Sequence, residues 1–334
     1  MKKNSLISIA ICALLIAGCT TKRQYFEPEN ITGEMKFTSE LSSEIVSTTL
    51  NGAVLKDGRV ISQNGIEKNL KVSKNVSLLD HSNDTFIISR LDGEIFIVDN
   101  TGQTIFTKKF PASIISASTD GEYLAALSSE NELNLINIRT NETLLSYKSS
   151  VTYAQDSRMA PPYFMNSLII FPTLDGKIII VEKQSGRIVR DVVVSNEPFF
   201  NNIIFLQVVG DRMFAATATK IIMISPSITT THRGEIKNIQ IYNDKVYIFE
   251  KDGNIIMADF DLRRIKSKEF KFAIFSNVTI KNGFLYALEK NGHIIKIDEN
   301  LENSEIYKLD DKVENRSFAS KDGIYYDDRF LEIK

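Results

Sequence analysis

The chain of 334 residues has no tryptophan, only two cysteines and only three histidines. Its one long apolar segment, Leu6 to Ala17, is about a dozen residues, whereas a membrane-spanning helix needs about 20. The formal net charge of −2 offers no basic excess of the kind nucleic-acid phosphates require, so no nucleic-acid partner is expected. His81, His232 and His293 stand far apart, none with a second ligand at metal spacing, and each reads as a turn or surface histidine. There is no Gly-x-Ser-x-Gly, no Walker loop, no cysteine pair and no His-Glu-x-x-His. The acidic groups Asp80–Asp84, Asp310-Asp311 and Asp327-Asp328 lack the ligand order of a calcium loop and read as solvated turns. No catalytic residue, metal site or cofactor site is expected.

What is present begins at the N-terminus. Lys2 and Lys3 precede the apolar segment, the charge order and length of a secretory signal. It ends in Ile16-Ala17-Gly18-Cys19, which resembles a bacterial lipobox. The resemblance implies cleavage between Gly18 and Cys19 and lipidation of the new terminal cysteine. Two or more acyl chains make a stable anchor where one is marginal. Thr20, where the enteric sorting rule would need Asp for inner-membrane retention, points to the periplasmic face of the outer membrane. Loss of residues 1–18 removes Lys2, Lys3 and Cys12. The mature charge is then −4, and Cys19 is left with no disulfide partner.

Along the rest of the chain one phrase recurs, a polar turn with Gly or Asn followed by an apolar strand. It occurs at Asp92-Gly93 to Asp99, Asp175-Gly176 to Glu182, Asp252-Gly253 to Asp259 and Asn291-Gly292 to Asp298, with an earlier mark at Asp57-Gly58. Degenerate copies fill Asn131–Asn137 and Thr219–Ser225. The repeat glycines lie 35, 83, 77 and 39 residues apart, which are one, two, two and one units of a period near that of four-stranded propeller blades. Asn-Gly and Asp-Gly suit tight hairpins, and the runs between are rich in Ile, Val, Phe and Tyr.

These runs predict an all-β chain with seven four-stranded antiparallel units near 44–73, 77–110, 114–148, 163–195, 203–231, 236–272 and 275–309. An eighth, 315–334, has room for three strands. Gly33–Phe37 is the segment available to supply its fourth and close the ring, which leaves no open sheet edge at the seam. An eight-bladed β-propeller follows, with seven blades as the alternative. The domains are then 1–18 signal peptide, 19–32 tether and 33–334 propeller.

Two surfaces stand out. Arg264, Lys266 and Lys268 alternate along one strand and form either a docking patch or the wet face of an outer strand. The polar stretch Tyr153 to Arg158 before Pro161-Pro162 is a longer loop than most, a suitable place for binding on a rigid ring.

Asp99-Asn100-Thr101-Gly102 followed by Phe106, and more weakly Glu182 to Arg187, are similar to the repeat of quinone-binding-like propellers. With the lipobox, the size and the repeat count, the chain resembles the BamB family of outer-membrane assembly lipoproteins. The local match is best from Met159-Ala160-Pro161 through Asp175-Gly176 to Gln184-Ser185-Gly186. The resemblance implies a non-catalytic scaffold, a monomer within a complex, docked on a BamA-type barrel-assembly subunit. It places the family's basic contact at Arg158, with Tyr153 in the same loop. The family's second contact loop is acidic, whereas here it reads Asn201-Asn202-Ile203. Quinone-dependent dehydrogenases share the repeat, but they use tryptophans to join blades and support cofactor, and this chain has none. A PQQ-dependent enzyme and a ligand-binding envelope sensor stand as the alternatives.

Overall fold

The computed structural model describes residues 24–82 and 84–334. The signal peptide and the Gly18-Cys19 lipidation site lie outside the described residues. Seven antiparallel sheets of four sequential strands cover 45–71, 76–109, 114–148, 163–193, 205–233, 236–269 and 275–308. An eighth contains Ser317–Ala319, Gly323–Tyr326 and Arg329–Glu332. The sheets form the ring of an eight-bladed β-propeller, and the unit boundaries read from the sequence match the blades within a few residues.

The packing explains why strands such as Tyr123–Ser128 are apolar at nearly every position. Side chains alternate between the two faces of a strand. Leu124 and Ala126 pack toward the second blade, while Tyr123, Ala125 and Leu127 pack toward the fourth. Eight apolar clusters result, one at each blade interface. In the last, Ile45, Leu55 and Ile61 of the first blade meet Phe318 and Tyr325 of the eighth. Phenylalanines and tyrosines fill these interfaces in place of tryptophan; Phe249, Phe275 and Tyr247 are fully buried between blades six and seven.

The repeat glycine has a specific mechanical role. Its carbonyl accepts a hydrogen bond from the residue that ends the outer strand of its own blade: Gly58 from Val72, Gly93 from Phe110, Gly176 from Val194, Gly253 from Phe270 and Gly292 from Leu309, at 2.8–3.0 Å. This latches the turn between the second and third strands to the connection into the next blade. The third blade uses Asn131 instead, at φ 61°, a conformation Asn tolerates, and its carbonyl accepts from Ser149.

The seam differs from the sequence-based expectation. The eighth blade is completed by Ser39–Glu40, paired antiparallel to Arg329–Glu332. Gly33–Glu34 instead joins the outer edge of the seventh blade in parallel, as a fifth strand beside Ser304–Lys308. The segment is long enough to lie on two blades. Phe37 fixes the crossing, stacked on Tyr326 and under the Arg329 guanidinium. Upstream, Phe26 is buried against Phe270 and His293, so the chain already lies on the ring at that point.

An antiparallel meander gives the ring two distinct faces. The connections into each inner strand and the turns between second and third strands share one, here called the entry face. No helix among the described residues is long and apolar enough to cross a membrane.

Candidate functional site: a paired loop on the entry face

Two long connections rise side by side on the entry face, residues 149–162 before the fourth blade and 194–204 before the fifth. Their bases are held by a buried polar network centred on Asp175. Asn131 donates from Nδ2 to Asp175 Oδ1 (2.9 Å) and to the Ser150 carbonyl (2.8 Å), and its Oδ1 accepts from the Leu174 amide. Ser149 donates to both carboxylate oxygens at 3.0 and 3.1 Å, and Lys177 pairs with Oδ2 at 2.8 Å. Burial works against ionisation of Asp175, but hydrogen bonds from Lys177, Asn131 and Thr173 outweigh it and hold its pKa down to about 2.

The second loop is tied to the first. Asn202 accepts from the Asp156 amide (2.7 Å) and donates to the Arg158 carbonyl (2.6 Å); the Phe200 amide donates to Ala154 O (3.0 Å). Asn201 donates to the carbonyls of Asp175 and Ser195. Gly176 is required beneath it, because at φ 80° a Cβ would lie 2.2 Å from Asn201 Nδ2.

This rigid base presents apolar side chains to solvent. Tyr153 is 86% exposed and Val151 69%; Phe199 and Phe200 of the other loop are 56% and 54% exposed. Phe200 adopts φ 53°, a left-handed conformation that costs a bulky residue of order 1–3 kcal/mol. Asn201 Oδ1 is buried with no hydrogen-bond partner among the described residues. Both are local costs that the packing of the loop base sustains, the pattern found where a surface serves a use beyond stability.

Of the residues singled out in sequence, Tyr153 stands in this patch. Arg158 sits at its foot with its guanidinium committed inward: Nε donates to Asp156 Oδ1 at 2.8 Å, and Nη1 donates to the carbonyls of Lys237 and Ile236. Asn201 and Asn202 provide anchoring where the resemblance placed a contact loop. Sequence reading missed Val151, Phe199 and Phe200. The available signal was Pro198-Phe199-Phe200, an aromatic pair after proline and outside any strand pattern.

Other expectations need correction. His293 is a buried residue, 8% exposed, with Nδ1 3.2 Å from the fully buried Glu289 carboxylate and its ring edge-on to Phe26. Asp80 belongs to the inner strand Val76–Ser82 and is half-buried, accepting from Ser118 Oγ (2.7 Å) and Asn51 Nδ2 (3.1 Å). Arg264, Lys266 and Lys268 do lie on an outer strand, but Lys266 pairs with Glu302 and Lys268 donates to the Glu302 carbonyl, both on the seventh blade. Among the described residues, no cluster of three or more His, Cys, Asp or Glu side chains could hold a metal ion.

Fold and site together define a β-propeller that presents loops from a rigid ring. No family model matches the sequence. In sequence the chain is similar to the plasminogen-binding protein PgbB of two Helicobacter pylori strains, J99 and 26695. It is 29% and 28% identical to them over 389 aligned residues, which cover 99% of this chain and 71% of each relative. In structure it is similar to BamB from Moraxella catarrhalis, which superposes with a TM-score of 0.65 at 15% identity, covering 88% of this chain and 99% of BamB. The C-terminal WD40 domain of Sif2 superposes at 0.68 and 13% identity, over 91% and 100%. At these identities the structural likeness establishes the fold.

Proposed function

We propose that the protein is a non-catalytic, lipid-anchored scaffold of the bacterial outer membrane that docks a protein partner on the loop pair 149–162 and 194–204. The observation that carries this reading is the exposure of Val151, Tyr153, Phe199 and Phe200 on a base held by the Asp175 and Asn202 networks. Exposed aromatic residues on a pre-ordered surface make binding anchors, because little ordering cost remains at association.

The first partner class is a BamA-type barrel-assembly subunit, supported by the BamB-like fold and by the position of the loop before Ala160-Pro161. The lipobox at Cys19 supports placement at the outer membrane. The second is plasminogen, supported by the name carried by relatives that align with nearly the whole chain.

Both are tested with the lipidated full-length protein. Crosslinked envelopes solubilised in mild detergent should yield the protein together with a BamA-type subunit, and immobilised protein should be assayed for plasminogen capture. Loss of either association on combining Tyr153→Ser with Phe199→Ser assigns that partner to the loop pair. Retention of both at full strength in the double variant would refute the docking site.

A further inference from the structure

The channel at the centre of the ring has its own chemistry. The inner strands of blades five to eight, with the first turn of blade one, enclose a cavity of about 540 Å3 that runs between the two faces. That volume falls in the range of small-molecule sites. At the entry-face end the cavity is lined by Arg158, Ile236 and Lys237; at the far end by Tyr242, Ser320 and Lys321.

The two cations at the entry mouth differ in what they have to bind. The Arg158 guanidinium is held on one side by Asp156 and on the other by the carbonyls of Ile236 and Lys237. The Lys237 ammonium, half-buried, has no hydrogen-bond or ion-pair partner among the described residues. Burial pushes its pKa down, and Arg158, Lys251 and Lys290 push it the same way; Asp156 opposes them but is already committed to Arg158. An ammonium withdrawn from water beside three further cations is a destabilising arrangement unless an anion joins it. Below it the cavity wall carries the amides of Asn238, Gln240 and Gln207, donors and acceptors suited to the uncharged part of a ligand.

We propose that this mouth of the channel binds a small oxyanion, the carboxylate or phosphate group of a compact polar molecule, with Lys237 Nζ as its direct partner. Lys251 and Lys290 supply attractive field from the adjoining turns, and Arg158, fixed by Asp156, forms the rim. Lysine acts on such groups as a point charge with rotatable donors, so carboxylate and phosphate are both accepted. The site adjoins the loop pair at Arg158 but uses none of its exposed apolar side chains, and its failure would leave the docking proposal standing.

The test uses the purified full chain with inorganic phosphate and with glucuronate, against glucose and against chloride at matched ionic strength, read by calorimetry and thermal unfolding. Phosphate or glucuronate should raise Tm where chloride and glucose do not, and affinity should fall at least tenfold in Lys237→Gln. It should be unchanged in Lys321→Gln, at the opposite mouth. Lys237→Gln removes an unpaired charge and should unfold at or above the wild-type temperature, which separates lost binding from lost folding. Vesicles containing phosphatidylglycerol, captured by wild type and not by Lys237→Gln, would identify a lipid headgroup as the source of the oxyanion; phosphate binding without vesicle capture would identify a free molecule. No stabilisation beyond chloride, or equal stabilisation of Lys237→Gln, would overturn the site. So would Lys237-dependent binding of a glutamate-rich peptide with no response to phosphate or glucuronate, which would assign the mouth to a protein segment.

Discussion

Asn131 of the third blade donates a 2.9 Å hydrogen bond to the carboxylate of Asp175 in the fourth, and both loops of the entry-face patch are built on that contact. Ser149 and Ser150 hang from it on one side, and Asn201 hangs from the Asp175 carbonyl on the other. The network converts two long connections, which would otherwise be mobile, into a shaped surface. Its members are buried or half-buried, so its stability depends on each being satisfied.

The first prediction concerns pH. Asp175 has a folded pKa of about 2 against an ordinary 3.8. A carboxylate depressed on folding stabilises the native state above its unfolded pKa, and that contribution is lost as pH falls through the folded value. The shift corresponds to about 2 kcal/mol. Urea unfolding should show Asp175→Asn weaker than wild type at pH 5, with the gap narrowing by about that amount by pH 2. A gap that does not change with pH would show that ionised Asp175 is not the hub.

The second concerns the repeat glycine. At Gly253, φ 94°, a Cβ would fall 1.9 Å from the carbonyl oxygen of Phe270, the residue whose amide closes the latch, whereas at Gly283, φ 79°, it would meet nothing within 4 Å. Gly283→Ala should cost about 1–2 kcal/mol for its backbone conformation alone. Gly253→Ala should cost more than about 3 kcal/mol, because strain and collision add. Equal costs in thermal or urea unfolding would contradict the latch.

The third concerns the N-terminal strap. Phe26 sits between Phe270 and His293, while ring closure depends on Ser39–Glu40. Phe26→Ser should speed hydrogen exchange at Thr32 and Met35, whose amides bond to Ile306 and Lys308, by more than tenfold. Exchange at Leu41, bonded to Asp328, should change little. Uniform acceleration across the eighth blade would mean that strap and seam unfold as one unit.

Much of the ring was legible because its period is written in turn chemistry. In five blades Asp-Gly or Asn-Gly marks the latch turn, where positive φ and a close carbonyl coincide, and the spacing of those five turns by one or two periods gives the blade count. The seam was less legible. Gly33–Phe37 and Ser39–Glu40 are both short and polar enough to serve as an edge, and the contacts that separate them, Phe37 on Tyr326 and Arg329 among them, are tertiary. The site was legible at Tyr153 through loop length, but Phe199 and Phe200 look like core residues until the tertiary structure shows them turned to solvent. His293 escaped for the opposite reason: the equivalent positions in other blades, Arg59, Glu94, Lys177 and Asn254, are exposed or half-buried, whereas here Phe26 covers the imidazole ring.

The fourth prediction, and the most direct test, is site-specific photocrosslinking in the cells that make the protein. A photoreactive phenylalanine analogue at Tyr153 or Phe199 should give one discrete crosslinked protein species. The same analogue at Asn282, in an exposed turn on the opposite face, should give none. Adducts of equal yield from all three positions, or none from Tyr153 and Phe199 in a correctly localised protein, would contradict the assignment of the loop pair as the docking surface.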